Sequence, residues 1–169
     1  VPVGKPRSGY GHAASPVLAG DNVIMHVTSM KALDRLTGEV TWEANLPCHW
    51  GTAVVVEIED TPVIITPKGD AVNATDGTVL ARKLGNCNYC QPLIEDGVVY
   101  FLTDGLWRGV RLPETIEPFE VEQLWESQPQ KERYYGSPVI HEGIIYAVTR
   151  FQLLSAVDAA AGEVLYEQQ

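Results

Sequence analysis

Three cysteines and a histidine are the residues of this 169-residue chain with the clearest chemical potential. Cys48 and His49, taken with Cys87-x-x-Cys90, would make a Cys₃His set suited to tetrahedral zinc. The two halves lie 39 residues apart, so only a repeating architecture could bring them together. Two other readings stay open. A disulfide could join Cys48 to Cys87, or Cys87 to Cys90, and an odd cysteine count would then leave one thiol over. Alternatively, all three are plain thiols packed in loops. Cys90 is followed by Gln91 rather than His, which disfavours covalent haem.

A second constellation surrounds the first. His12, His49, Asn88 and Tyr134 occupy equivalent places in four similar stretches, and Trp50, Tyr89 and Tyr135 share the next place. His12, His49, Trp50, Tyr89, Tyr134 and Tyr135 are therefore the candidate ligand-binding residues, polar and aromatic in register. His12 and His49 have the chemistry of ligands or of acid/base groups. His26 and His141 fall in or beside strand-like runs and read as structural. Asp34, Asp76 and Asp158 sit at turn positions, where hydrogen bonding to their own backbone accounts for them. No carboxylate pairs with a recognisable base, so no catalytic residue is assigned. Phosphate-cradling glycine doublets are absent, which argues against nucleotide binding. The sequon Asn73-Ala74-Thr75 falls in a turn and reads as accidental.

The elements that must position these residues are repeats of one unit. Each unit opens on a short apolar strand: Ser15-Pro16-Val17-Leu18, Thr52-Ala53-Val54-Val55, Gln91-Pro92-Leu93-Ile94 and Ser137-Pro138-Val139-Ile140. The steps between them are 37, 39 and 46 residues, a length that suits one four-stranded propeller blade. An acidic or glycine-containing turn follows. Then comes an unbroken apolar strand, such as Val98–Thr103 or Ile144–Thr149, of the kind buried on both faces. A third strand ends in Ala32-Leu33-Asp34, Ala71-Val72-Asn73 or Ala156-Val157-Asp158. A tight glycine turn leads to a last strand that carries Trp42, Trp125 or Tyr166. No amphipathic helix period is visible. The expectation is an all-β chain of four four-stranded antiparallel blades, spanning about residues 12–46, 49–84, 88–127 and 134–169 of a single segment, 1–169.

Ala32-Leu33-Asp34-Arg35-Leu36-Thr37-Gly38-Glu39-Val40-Thr41-Trp42 resembles the tryptophan-docking repeat of PQQ-like (quinoprotein-type) β-propellers, A-x-D-x-x-T-G-x-x-x-W. The stretch from Ala156 to Tyr166 is similar, with Ala161 for Thr and Tyr for Trp. The stretch from Ala71 to Ala81 is a weaker copy. The third unit departs most: Leu112–Pro118 replaces the turn with a longer connection, although Trp125 survives. The resemblance implies that the ring aromatics lie between blades, where they bury a large apolar area. Rings of this type have seven or eight blades, so four would leave two apolar faces to be covered by remaining propeller blades or by a second copy.

Quinoprotein dehydrogenases of this type hold PQQ with calcium on the ring axis, using an Asp base and often a disulfide between adjacent cysteines. This chain has no adjacent cysteine pair and no carboxylate that matches that set. The resemblance therefore supports the repeat fold and a non-catalytic scaffold that binds a protein or small ligand on its ring face, with part of a PQQ/calcium dehydrogenase as the alternative. No cofactor is the leading expectation, with PQQ and calcium, or zinc, as the alternatives. The resemblance also implies a bacterial, extracytoplasmic setting.

Composition narrows the classes further. Twelve basic against twenty-two acidic residues leave a net charge of −10, and the basic residues are scattered, which argues against nucleic acid. No apolar run approaches the length of a membrane span. The chain opens at Val1 without a basic and apolar leader pattern, which fits either a removed leader or a longer parent chain.

Overall fold

A computed structural model of the chain describes residues 11–48, 50–129 and 132–169. Among these there are sixteen strands and no helix, arranged as four separate four-stranded antiparallel sheets. Blade 1 contains β1 (Val17–Ala19), β2 (Asn22–His26), β3 (Met30–Asp34) and β4 (Val40–Ala44). Blade 2 contains β5 (Val54–Ile58), β6 (Thr61–Ile65), β7 (Ala71–Asn73) and β8 (Val79–Ala81). Blade 3 contains β9 (Leu93–Glu95), β10 (Val98–Thr103), β11 (Leu106–Arg111) and β12 (Glu122–Ser127). Blade 4 contains β13 (Val139–His141), β14 (Ile144–Val148), β15 (Leu154–Asp158) and β16 (Val164–Gln168). Each sheet runs in chain order, so every connection is a hairpin. The innermost strands of neighbouring blades meet, β1 lying against β5 and β9 against β13.

The unbroken apolar runs are the second strands, and they are sandwiched. In β6, Val63 and Ile65 pack into a core shared with blades 3 and 4, while Ile64 between them packs into a core shared with blade 1. Successive side chains of a strand point to opposite faces, so a strand between two blades has no face left for polar residues. β5 divides in the same way: Val54 and Val56 face one core, and Val55 the other.

The turn into the last strand is built alike in three blades. Asp34 Oδ1 accepts the backbone N–H groups of Leu36 (3.0 Å) and Thr37 (2.7 Å), which hold its pKa below the usual value. Asn73 Oδ1 accepts from Thr75 N (2.9 Å), and Asp158 Oδ1 from Ala160 and Ala161 N (2.8 and 2.9 Å). Each turn closes on a glycine of positive φ, Gly38, Gly77 or Gly162, a region in which a Cβ is strained.

One register recurs in all four blades. The third and fourth strands pair Ala32 with Trp42, Ala71 with Ala81, Gly109 with Trp125 and Ala156 with Tyr166, each with an irregularity at the next position. The two tryptophans reach into the following blade. Trp42 Nε1 donates to Ala74 O at 2.9 Å, and a Cβ on Gly77 would come within 2.7 Å of the Trp42 ring. Trp125 Nε1 donates to Ala159 O at 2.8 Å, with Gly162 under its ring in the same way.

Candidate functional site

The cavity nearest the meeting of the inner strands draws on every blade. It has a volume of about 340 Å³ and is lined by Ala13 from the approach to blade 1, Trp50, Gly51 and Thr52 from blade 2, Tyr89 and Gln91 from blade 3, and Tyr135 and Ser137 from blade 4. Apart from Gly51, these are two positions of the repeat. Ala13, Trp50, Tyr89 and Tyr135 are one, and Thr52, Gln91 and Ser137 are another, two residues on. Residues two apart in extended chain face the same way, so the approaches to blades 2, 3 and 4 each offer the cavity an aromatic residue and then a hydrogen-bonding one, while blade 1 offers only Ala13.

The aromatic side of the cavity is braced. The Tyr89 and Tyr135 rings stand edge to face with centroids 4.9 Å apart, a favoured arrangement of ring quadrupoles. The Arg133 guanidinium lies 5.9 Å from the Tyr89 ring centre and 3.6 Å from Asp104 Oδ2. A hydrogen bond with Tyr135 is the main influence pushing the Arg133 pKa above its ordinary value. Tyr135 is half exposed, and Trp50 and Tyr89 are partly buried. Apolar faces with polar rims suit a flat group or an extended segment laid across the opening.

The position before the aromatic one behaves differently, although the sequence treats the two as neighbours. Tyr134 is buried in the core, with its ring 5.4 Å from that of Trp107, edge to face. Burial pushes its hydroxyl pKa up to about 12, partly offset by the Trp107 N–H. The physical reason is the alternation of extended backbone: if Tyr135 faces the opening, Tyr134 faces away. His12 is exposed and does not line the cavity. His49 lies outside the described residues.

The cysteines sit in unlike surroundings. Among the described residues, which leave out His49, no three His, Cys, Asp or Glu side chains come together as a metal site. All three are free thiols, with no disulfide of either expected pairing. Cys87 and Cys90 are buried in the core shared by blades 2 to 4, and the Cys90 thiol donates to Leu102 O at 3.6 Å. Burial pushes the Cys87 thiol well up, while a hydrogen bond with Cys87 holds the Cys90 thiol below its ordinary value. Equivalent places in neighbouring blades need not share an environment: Cys48 is only half buried where Cys87 is enclosed.

Sequence reasoning passed over three groups. Arg133 and Asp104 flank the cavity but sit in stretches that differ between units, so the repeat could not flag them. Asp70 lies in the turn between β6 and β7. It is buried, its pKa is raised by that burial, and Arg82 stands 3.5 Å away.

No protein-family model matches the chain, and no curated protein matches it in sequence. Solved structures do match in shape. BamB from Moraxella catarrhalis superposes with a TM-score of 0.70 at 15% identity, over 94% of this chain and 52% of its own. The fold is the PQQ-like β-propeller fold. A europium-containing methanol dehydrogenase superposes with a TM-score of 0.68 at 10% identity, over 94% of this chain and 46% of its own. A quinohaemoprotein alcohol dehydrogenase from Pseudomonas putida does so at 0.65 and 12%, over 94% and 34%. The chain thus spans between about a third and about half of the length of the chains it resembles. No helix among the described residues is long and apolar enough to cross a membrane.

Proposed function

We propose that the chain, residues 1–169, is one propeller segment that acts as a non-catalytic binding scaffold, taking an extended protein segment or a flat small ligand on its ring face. The cavity lined by Trp50, Tyr89 and Tyr135 carries this reading. All four blades contribute equivalent positions to it, and the contributed groups are aromatic faces and neutral hydrogen-bonding side chains rather than a nucleophile and base. Aromatic side chains anchor partners at low entropic cost because few torsions are frozen. The fold likeness to BamB and to quinoprotein dehydrogenases supports an extracytoplasmic bacterial setting. The acidic surface favours a partner that is neutral or basic.

The test is direct binding. A random peptide library is panned against the folded chain, and the affinities of selected peptides are read by intrinsic fluorescence. Micromolar or tighter binding that weakens by about tenfold or more in Trp50→Ala and Tyr135→Ala supports the scaffold reading, as loss of an aromatic anchor should. Stoichiometric binding of PQQ with calcium, together with dye-linked alcohol oxidation, would replace it with the dehydrogenase reading.

A further inference from the structure

A cavity of about 210 Å³ lies between blades 2 and 3 and shares no lining residue with the aromatic one. Lys68 lines it from the turn after β6, Lys83 and Asn86 from the linker between β8 and β9, and Phe101, Leu106 and Arg108 from β10 and β11. It is smaller than the roughly 300–1,000 Å³ of a site for a drug-sized ligand.

Charge sets this cavity apart. The chain has twelve basic residues. Lys5, Arg7 and Lys131 lie outside the described residues, which leaves nine. Seven of the nine stand 2.7–3.8 Å from a carboxylate oxygen. The two that do not are Lys68 and Lys83, and both line this cavity. The third cation there, Arg108, is matched by Glu126, whose Oε2 accepts from Nε at 3.2 Å and from Nη2 at 2.7 Å. No carboxylate lines the cavity. In a chain of net charge −10, two ammonium groups without a carboxylate therefore share one small recess.

The groups around it are held in place. Lys68 Nζ donates to Asn86 Oδ1 at 3.1 Å. Asn86 is itself oriented, because its amide nitrogen donates to Asn88 Oδ1 at 3.0 Å and to Thr103 Oγ1 at 3.4 Å. A neutral oxygen fixes the ammonium without cancelling its charge and leaves two of its three N–H groups to donate. Lys83 has a φ of +63°. The other described non-glycine residues of positive φ, Glu59, Asp60, Asp96, Glu142 and Gln152, all lie in hairpin turns, where the turn itself asks for that geometry. Lys83 lies in a linker, and Arg108 Nη1 ties that linker down by donating to Lys83 O at 3.5 Å and Leu84 O at 3.2 Å. Buried Phe101 and half-buried Leu106 supply an apolar wall.

We propose that this cavity binds a small organic anion: a carboxylate or phosphate group held by Lys68 and Lys83, carried on a compact apolar body that lies against Phe101 and Leu106. Ammonium groups act as point charges and take either kind of anion, whereas the planar fork of Arg108 is already occupied by Glu126. The apolar wall favours an organic anion over an inorganic one. The site does not depend on what the aromatic cavity binds, so the scaffold reading and this one stand or fall separately.

The experiment is a nuclear magnetic resonance shift titration of the isotope-labelled chain with benzoate, phenyl phosphate, inorganic phosphate and uncharged benzamide. Wild type is compared with Lys68→Gln, Lys83→Gln and Lys31→Gln, each checked for folding by circular dichroism. Lys31 is paired with Glu43 on blade 1, so its substitution removes the same charge away from the cavity. The expected result is saturable binding of benzoate or phenyl phosphate with a millimolar or tighter Kd. Benzamide and inorganic phosphate should bind at least tenfold more weakly. Either cavity substitution should weaken binding by about tenfold or more, and Lys31→Gln by no more than about twofold. The tighter of the two organic anions identifies the ligand as a carboxylate or a phosphate. Absence of saturable binding by both overturns the proposal. Binding untouched by Lys68→Gln and Lys83→Gln, or weakened as much by Lys31→Gln, overturns it as well. Benzamide binding as tightly as benzoate would refute the role of charge, and inorganic phosphate binding as tightly as phenyl phosphate would refute the role of the apolar wall.

Discussion

The joint between blades 1 and 2 and the joint between blades 2 and 3 hold together by different means. In the first, Trp42 bonds to Ala74 O and lies on Gly77. In the second, the ring position is Ala81, and the receiving turn is absent because the Leu112–Pro118 connection replaces it. That longer connection takes over part of the role. Ile116 and Phe119 pack against the core, and Ile116 N donates to Glu59 Oε2 on blade 2 at 2.8 Å. The linker into blade 3 completes the seal, with Gly85 close under Phe101 and with Cys87 and Cys90 buried in the core. Loss of the aromatic and loss of its turn occur together. A large ring between blades is useful only if the next blade leaves a Cβ-free place for it, so the two features stand or fall as a pair.

The largest test of this contrast is removal of a docked ring. Trp125→Ala should cost about 3–5 kcal/mol, and Trp42→Ala, less buried, roughly the lower end of that range. Chemical denaturation measures both, and a change near zero would refute the docking account. Next, Gly162→Ala should cost roughly 2–4 kcal/mol, since it adds a clash with the Trp125 ring to the strain of positive φ. Gly38→Ala shares that φ but has an open surrounding. It should cost only about 1 kcal/mol, and equal losses at the two glycines would show that backbone strain alone is at work.

Tyr134, at the joint between blades 3 and 4, adds a pH dependence. Its folded pKa is raised from 10.0 to about 12, so the folded state holds its proton more tightly than the unfolded state. The stability this contributes is present in full below pH 10 and is lost as pH rises through about 12, by roughly 2–3 kcal/mol. Tyr134→Phe should lose correspondingly less stability across that window when denaturation is compared at pH 9 and pH 12. The smallest effect belongs to the joint without a ring. Ile116→Ala, at a half-buried position, should cost about 1 kcal/mol, and a loss as large as that of Trp125→Ala would erase the distinction between the two joints.

Much of the fold was legible because a repeat states the same rule several times. The apolar runs, the Asp-to-glycine turns and the ring position recur, and in the structure they sit in equivalent registers. The aromatic cavity was half legible. Trp50, Tyr89 and Tyr135 share one position, but their neighbour Tyr134 was grouped with them although the extended chain turns it inward. Trp107, fully buried against Tyr134, carries no repeat signature and was not singled out.

The sequence by itself determined the blades: local period, turn chemistry and repeat length depend on residues close together in the chain. Only the tertiary structure decided what each repeated position faces. It placed Cys87 in a sealed core while Cys48 stayed half exposed, and it covered the Gly77 and Gly162 turns while leaving Gly38 and Tyr166 open. The reason is that a position's surroundings come from the neighbouring blade, some forty residues away in this chain, and a repeat specifies that neighbour's shape without specifying whether a neighbour is there.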